Sequence, residues 1–161
     1  MIEDVVDRIH DLLRPADEGG TYHNWASVVN NHYGEPFADV EFSVIQEFDN
    51  SQVRSLPGVI IADVRTEYTE FSLGHKTARH DVDVMVFEGH KDSETLRKKL
   101  RRTVRAVAMA IENDARTTES DISDFSVFTI DYSIPEENGS ILVSAAVLRV
   151  RAIQSEEIAS A

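Results

Sequence analysis

Apolar residues recur at steps of three and four from Asp92 to Asp114, the most regular pattern in the chain. Leu96, Leu100, Val104, Val107, Ala108 and Ile111 fall on one stripe, and no Gly or Pro interrupts the run. The spacing predicts a helix whose stripe packs on a sheet. Asp92 or Ser93 can cap its start, and Glu94 suits the first turn. At about 1.5 Å per residue this helix spans roughly 35 Å. A shorter stripe of Ile2, Val5, Val6, Ile9, Leu12 and Leu13 predicts a second helix over residues 2–14, stopped by Pro15 and the Gly19–Gly20 pair. Its apolar face suits the domain core, with a neighbouring subunit as the alternative cover.

Between and after these helices the period changes to two. Residues 38–48 alternate, with Val40, Phe42 and Val44 against Glu41, Ser43 and Ile45, and predict a strand. Residues 59–72 open with the β-branched run from Val59, and residues 77–87 set Val82, Val84 and Val86 against Asp81, Asp83, Met85 and Phe87. The pair predicts a β-hairpin with a loop near 73–76, its valines in the core and its other face toward solvent or an interface. Residues 124–133 and 141–153 predict a second hairpin around a turn at 135–139. Segments 49–51 and 115–123 read as a turn and a polar connection, and the acidic tail from Gln154 as frayed.

Segment 16–36 has no clear period. Tyr22, Trp25, Val28, Val29 and Tyr33 stand among Asn and His, and a short helix over 24–31, closed by Gly34 and Pro36, fits best. Its aromatics are either core anchors or interface residues. The order of elements predicts an α+β fold, a mainly antiparallel sheet with an N-terminal helix and one long helix packed on one face. It reads as a single domain over 1–161, with an inserted or extended segment at about 16–50.

Charge changes the picture of the long helix. Lys91, Arg97, Lys98, Lys99, Arg101, Arg102 and Arg105 lie in or beside it, seven of sixteen basic residues in a chain of net charge −13. The acidic balance argues against simple nucleic-acid binding, whereas one basic face in an acidic chain suits a complementary protein surface. Arg97, Lys98, Arg101, Arg102 and Arg105, with Tyr22, Trp25 and Tyr33, are therefore the predicted interface residues. Reversing Arg101 and Arg102 together is expected to spare the fold and impair assembly.

Little else points to chemistry. With no cysteine there is no disulfide, thiol nucleophile or thiolate site. No apolar run is long enough to span a membrane, and the acidic, amphipathic start lacks the features of a signal peptide. No GxSxG, HExxH or Gly-rich phosphate loop occurs. His75, His80, Asp81 and Asp83 are the nearest approach to a ligand cluster, but alternation along a strand separates them. Paired acids such as Glu67 with Glu70 have no nucleophile or apolar pocket beside them in the pattern. Neither a catalytic function nor a cofactor or metal is expected.

The first helix, LPGVIIADV (Leu56 to Val64), HDVDVMVFEGH (His80 to His90), DSETLRKKLRRTVRAVAMAIEND and the closing ILVSAAVLRVRAI together resemble the tail terminator (tail completion, neck) proteins of long-tailed bacteriophages and related archaeal viruses. The resemblance covers roughly residues 1–14 and 56–153, whereas segment 16–50 is longer than that pattern. It implies a structural virion protein of the tail or neck, assembled in the host cytoplasm. Such a protein is a homo-oligomer, typically a hexameric ring, that caps the tail tube protein, stops its polymerisation and faces the head–tail connector or head-closure protein. DNA would pass an acidic lumen without specific binding. The neighbouring neck roles of head closure and head–tail joining share this pattern. A small metal enzyme at the His75–Asp83 hairpin, or a non-viral adaptor binding an acidic partner through residues 91–105, are the readings from other classes.

Overall fold

A computed structural model of the chain describes residues 1–47, 55–72, 74–114 and 121–157. Its elements are α1 (Ile2–Leu13), α2 (Tyr22–Tyr33), β1 (Val44–Glu47), β2 (Gly58–Ser72), β3 (His75–His90), α3 (Ser93–Glu112), β4 (Ile122–Tyr132), β5 (Glu136–Asn138) and β6 (Ile141–Glu157). The strands form one sheet in the order β1-β2-β3-β6-β4, with β5 on the end of β6. Among the described residues only the β1–β2 pair is parallel. The fold is α+β with a mainly antiparallel sheet, as the order of periods predicts.

Alternation sets the two faces of the sheet. Val82, Val84 and Val86 stand opposite Val150, Leu148 and Ala146, and all six are buried under the helices. Each fully buried aliphatic side chain of this kind contributes about 1.5–3 kcal/mol. α1 lies over β2 and β3, and α3 over β3, β6 and β4, so the helices divide the sheet between its two edges. α2 packs chiefly on α3. Of the predicted stripe, Leu96, Leu100, Val104, Val107 and Ile111 are buried and Ala108 is half-buried, and the Asp92 carboxylate caps α3 by accepting from the Thr95 N–H at 2.9 Å.

Six elements differ from the sequence reading, among them β3, which runs from His75 to His90 where 77–87 was predicted. The strand predicted over 38–48 is confined to Val44–Glu47. The backbone before it is bonded to side chains instead. The Asn30 amide donates to the Ala38 carbonyl at 2.9 Å and accepts from its N–H at 2.8 Å, while the Asp39 N–H donates to Thr103 Oγ1 at 3.3 Å. The helix predicted over 24–31 runs from Tyr22 to Tyr33 and ends at Gly34 in a left-handed conformation, φ +69°. β4 begins at Ile122, two residues early, and carries register shifts at Ser123/Ser126 and Val127/Thr129. Residues 136–138 form a strand rather than only a turn. β6 continues to Glu157, where a frayed tail from Gln154 was expected, because β3 pairs with it along its whole length. The turn at 49–51, most of the 115–123 connection and the last four residues lie outside the described residues. Segment 16–47 is built into the core through Tyr22, Ala26, Val29, Ala38 and Phe42.

Candidate interface beside the long helix

The basic residues of α3 do not form one face. Lys99 and Arg102 point toward α2 and the segment after it. Lys99 Nζ lies 3.8 Å from carboxylate oxygens of both Asp39 and Glu88. The Arg102 guanidinium, only 12% exposed, stacks on Tyr33 at 4.1 Å from the ring centroid, with Phe37 at 5.3 Å and the Glu35 carboxylate at 3.7 Å. Arg102 is thus part of the packing between α2 and α3, so its reversal is expected to disturb that packing rather than spare the fold. Lys98 makes a surface pair with Glu94 at 3.9 Å, of a kind worth little.

Arg97, Arg101 and Arg105, spaced by four, form the exposed flank. They line one wall of an open cleft of about 570 Å3, whose other wall is Tyr132, Ile134 and Pro135. Tyr33 closes one end, its hydroxyl accepting from Arg105 Nη1 at 3.3 Å. The register shifts in β4 place Ile130 opposite Leu148 and Tyr132 opposite Ala146, on the face that carries the helices. Leu148 and Ala146 are buried there, but Tyr132 is 52% exposed, because β4 is the sheet's outermost strand on this side. Burial raises the Tyr132 pKa above its ordinary value, against the nearby Arg101 charge, so its hydroxyl stays neutral at pH 7. Arginine and tyrosine beside exposed aliphatic surface is the composition of protein interfaces.

The structure therefore brings Arg97, Arg101, Arg105 and Tyr33 together at the cleft, puts Arg102 behind Tyr33 in the α2–α3 packing, and places Tyr22 and Trp25 elsewhere. Tyr22 is 1% exposed, tilted against Phe42 with ring centroids 4.7 Å apart, and its hydroxyl donates to the Asp39 carbonyl. It is a core residue, and burial raises its pKa well above normal. Trp25 is half-buried against the core. Sequence reasoning missed Ile130, Tyr132 and Ile134. The available signal was a strand with apolar residues on both faces, Phe125 and Val127 against Phe128, Ile130 and Tyr132.

The histidine and aspartate cluster does not converge. His80 is buried on the helix-covered face, with Nδ1 2.8 Å from Thr66 Oγ1 and Nε2 3.0 Å from Gln154 Oε1. Asp81 and Asp83 face the other way. Arg149 holds Asp83 with two hydrogen bonds of 2.8 and 3.0 Å, and Arg151 and Arg65 hold Asp81 at 3.1 and 3.2 Å. Burial alone would raise the Asp81 pKa, but the two arginines outweigh it and lower it. Asp81 was expected near solvent; it is buried beneath these arginines. Among the described residues no group of three His, Asp or Glu could hold a metal ion.

No family model and no curated protein matches the chain. Among solved structures it is similar to a chain of the virion of a native gene transfer agent particle. The match has 14% identity and a TM-score of 0.33, and covers 78% of this chain and 84% of that one.

Proposed function

We propose that this chain is a structural virion protein, a tail terminator that forms a homo-oligomeric ring on the head-proximal end of the tail tube. In this reading the ring stops polymerisation of the tube protein and offers its other side to the head–tail connector. The role is architectural and no reaction is assigned. The observation that supports it is the Arg97–Arg101–Arg105 stripe set beside Tyr132 and Ile134 at an open sheet edge. Subunits of net charge −13 repel one another at long range. A basic and apolar patch facing an acidic surface of the next subunit offsets that repulsion locally and fixes orientation. A contact between two different surfaces of one chain closes into a ring when the rotation allows. The remaining acidic surface would let DNA pass the lumen without adhering.

The test is the mass of the purified chain by light scattering, with negative-stain images of the same sample, alone and with unterminated tail tubes. Rings of about six subunits, or a cap that forms only at tube ends, are the expected results. A chain that stays monomeric and ignores tube ends overturns the reading.

A further inference from the structure

The clearest unpartnered feature at this edge is Ile134. It is 84% exposed, on the short connection between β4 and β5. An isoleucine so displayed on a loose loop would be unremarkable, but this loop is braced. The Ser133 N–H donates to the Ala145 carbonyl at 2.8 Å, Ser144 Oγ donates to the Ser133 carbonyl at 3.0 Å, and the Ala145 N–H donates to Ser133 Oγ at 2.9 Å. Pro135 fixes the next residue. A rigid apolar knob loses little conformational freedom when it is covered.

The opposite edge of the same sheet is shaped differently. Beside β1, the end of α1 and the 3-10 turn at Ala16–Glu18 border a second cleft of about 490 Å3, lined by His10, Pro15, Glu18, Phe42, Val44 and Ile45. Phe42, Val44 and Ile45 give it an apolar wall, and its polar lining is Glu18 with His10, Arg14 and Ser43. Glu18 in the lining and Asp17 beside it in the 3-10 turn are exposed and make no ion pair among the described residues, while Arg14 in the lining pairs with Asp11 at 3.1 Å. β1 and β4 are the outer strands of the sheet. At about 4.8 Å per strand they lie roughly 20 Å apart, so one copy can offer each edge to a different neighbour.

We infer that the subunits join head to tail, with Ile134 of one copy seated in the β1-edge cleft of the next and its Arg101 and Arg105 against that copy's Asp17 and Glu18. The inference rests on the ring reading above and names the surfaces that make the ring. A knob with a basic flank at one edge and a hollow beside the unpaired carboxylates of Asp17 and Glu18 at the other are complementary in shape and sign. Because the two patches differ, each copy uses both, and the contact propagates until it closes.

The test uses three variants of the full chain: Ile134→Asp, Arg101→Glu with Arg105→Glu, and Asp17→Arg with Glu18→Arg. All the altered residues are exposed, so their melting temperatures are expected to match the wild type. By light scattering each variant is expected to be monomeric where the wild type forms rings, with self-association weakened at least about tenfold. Mixed in equal amounts, the two charge-reversed variants are expected to regain the assembled mass, since a reversed patch on one then meets a reversed patch on the other. Wild-type rings with variants that assemble equally well, or with no recovery on mixing, overturn this contact and leave the ring reading standing. A wild type that neither assembles nor caps tubes overturns both. Salt-sensitive retention of a monomeric wild type on DNA, lost in the arginine variant, would assign the stripe to nucleic acid and likewise overturn the contact.

Discussion

Thr103 Oγ1 donates a 3.0 Å hydrogen bond to Glu88 Oε1 at a point where both residues are buried. The bond pins α3 to β3. The same hydroxyl accepts from the Asp39 N–H, so the segment after α2 is fastened at the same point. Buried Glu88 and the partly exposed Asp39 and Lys99 thus form a small cluster of ionisable groups beside the helix that carries the proposed contact.

Burial, reinforced by the neighbouring Asp39 carboxyl and opposed by Lys99 and Thr103, raises the Glu88 pKa to about 9. The folded chain therefore keeps a proton that the unfolded chain releases above about 4.5. This contribution to stability is complete below pH 4.5, falls as the pH rises and is gone above about 9. Glu88→Gln keeps the shape and the acceptor but cannot ionise. Its stability relative to the wild type is expected to rise with pH inside that window, by up to about 1.4 kcal/mol per pH unit. Urea denaturation of both proteins at about pH 5, 7 and 9 checks it, and a difference independent of pH would sink the assignment.

The apolar stripe of α3 was legible because it answers to one requirement, burial against a sheet. The flank that meets α2 was not, because Lys99, Arg102 and Thr103 are polar residues buried by pairing, and a hydropathy pattern reads them as surface. Segment 38–43 misled for a related reason. Its alternation is real, but at Ala38 and Asp39 the backbone bonds the side chains of Asn30 and Thr103 in place of a neighbouring strand. The site was half legible. The arginines announced themselves by charge, whereas Tyr132 and Ile134 became visible only once the strand order put β4 at the outer edge of the sheet.

Asp81 should reveal itself on the acid side. Arg151 and Arg65 hold its pKa below the ordinary value, although its burial works the other way. Its contribution is present above about pH 3.8 and is lost as the pH falls through the lower, folded value. Asp81→Asn is expected to cost about 1–3 kcal/mol at pH 7 and to flatten the loss of stability in acid. Thermal melts between about pH 2 and 7 would show both effects, and equal acid sensitivity in the two proteins would count against it.

The adjacent glycines Gly19 and Gly20 are expected to differ in their sensitivity to alanine. Gly19 has φ +89° and open space around it, so alanine there meets only backbone strain, about 1–2 kcal/mol. At Gly20 a Cβ would fall 1.7 Å from the Arg14 carbonyl oxygen, and the fold-back is fixed by bonds from Gly20 N to the Pro15 carbonyl and from Thr21 N to the Leu12 carbonyl. The turn must open, at a cost of about 3 kcal/mol. Melting temperatures of the two single variants decide it, and the order is the test.

Arg101 and Arg102 are neighbours in sequence with opposite expected roles. Arg101 projects into the open cleft, and its loss removes a charge that faces solvent in the single subunit. Arg102 lies against Tyr33 and Phe37 and pairs with Glu35, so its loss removes packing as well as charge. Arg102→Ala is expected to lower stability by about 1–3 kcal/mol and to loosen α2 from α3. Arg101→Ala is expected to stay within about 0.5 kcal/mol of the wild type in the monomer, and to weaken self-association. Denaturation midpoints combined with sedimentation of the same two variants separate the roles. Equal loss of stability in both would place Arg101 in the packing and remove it from the contact.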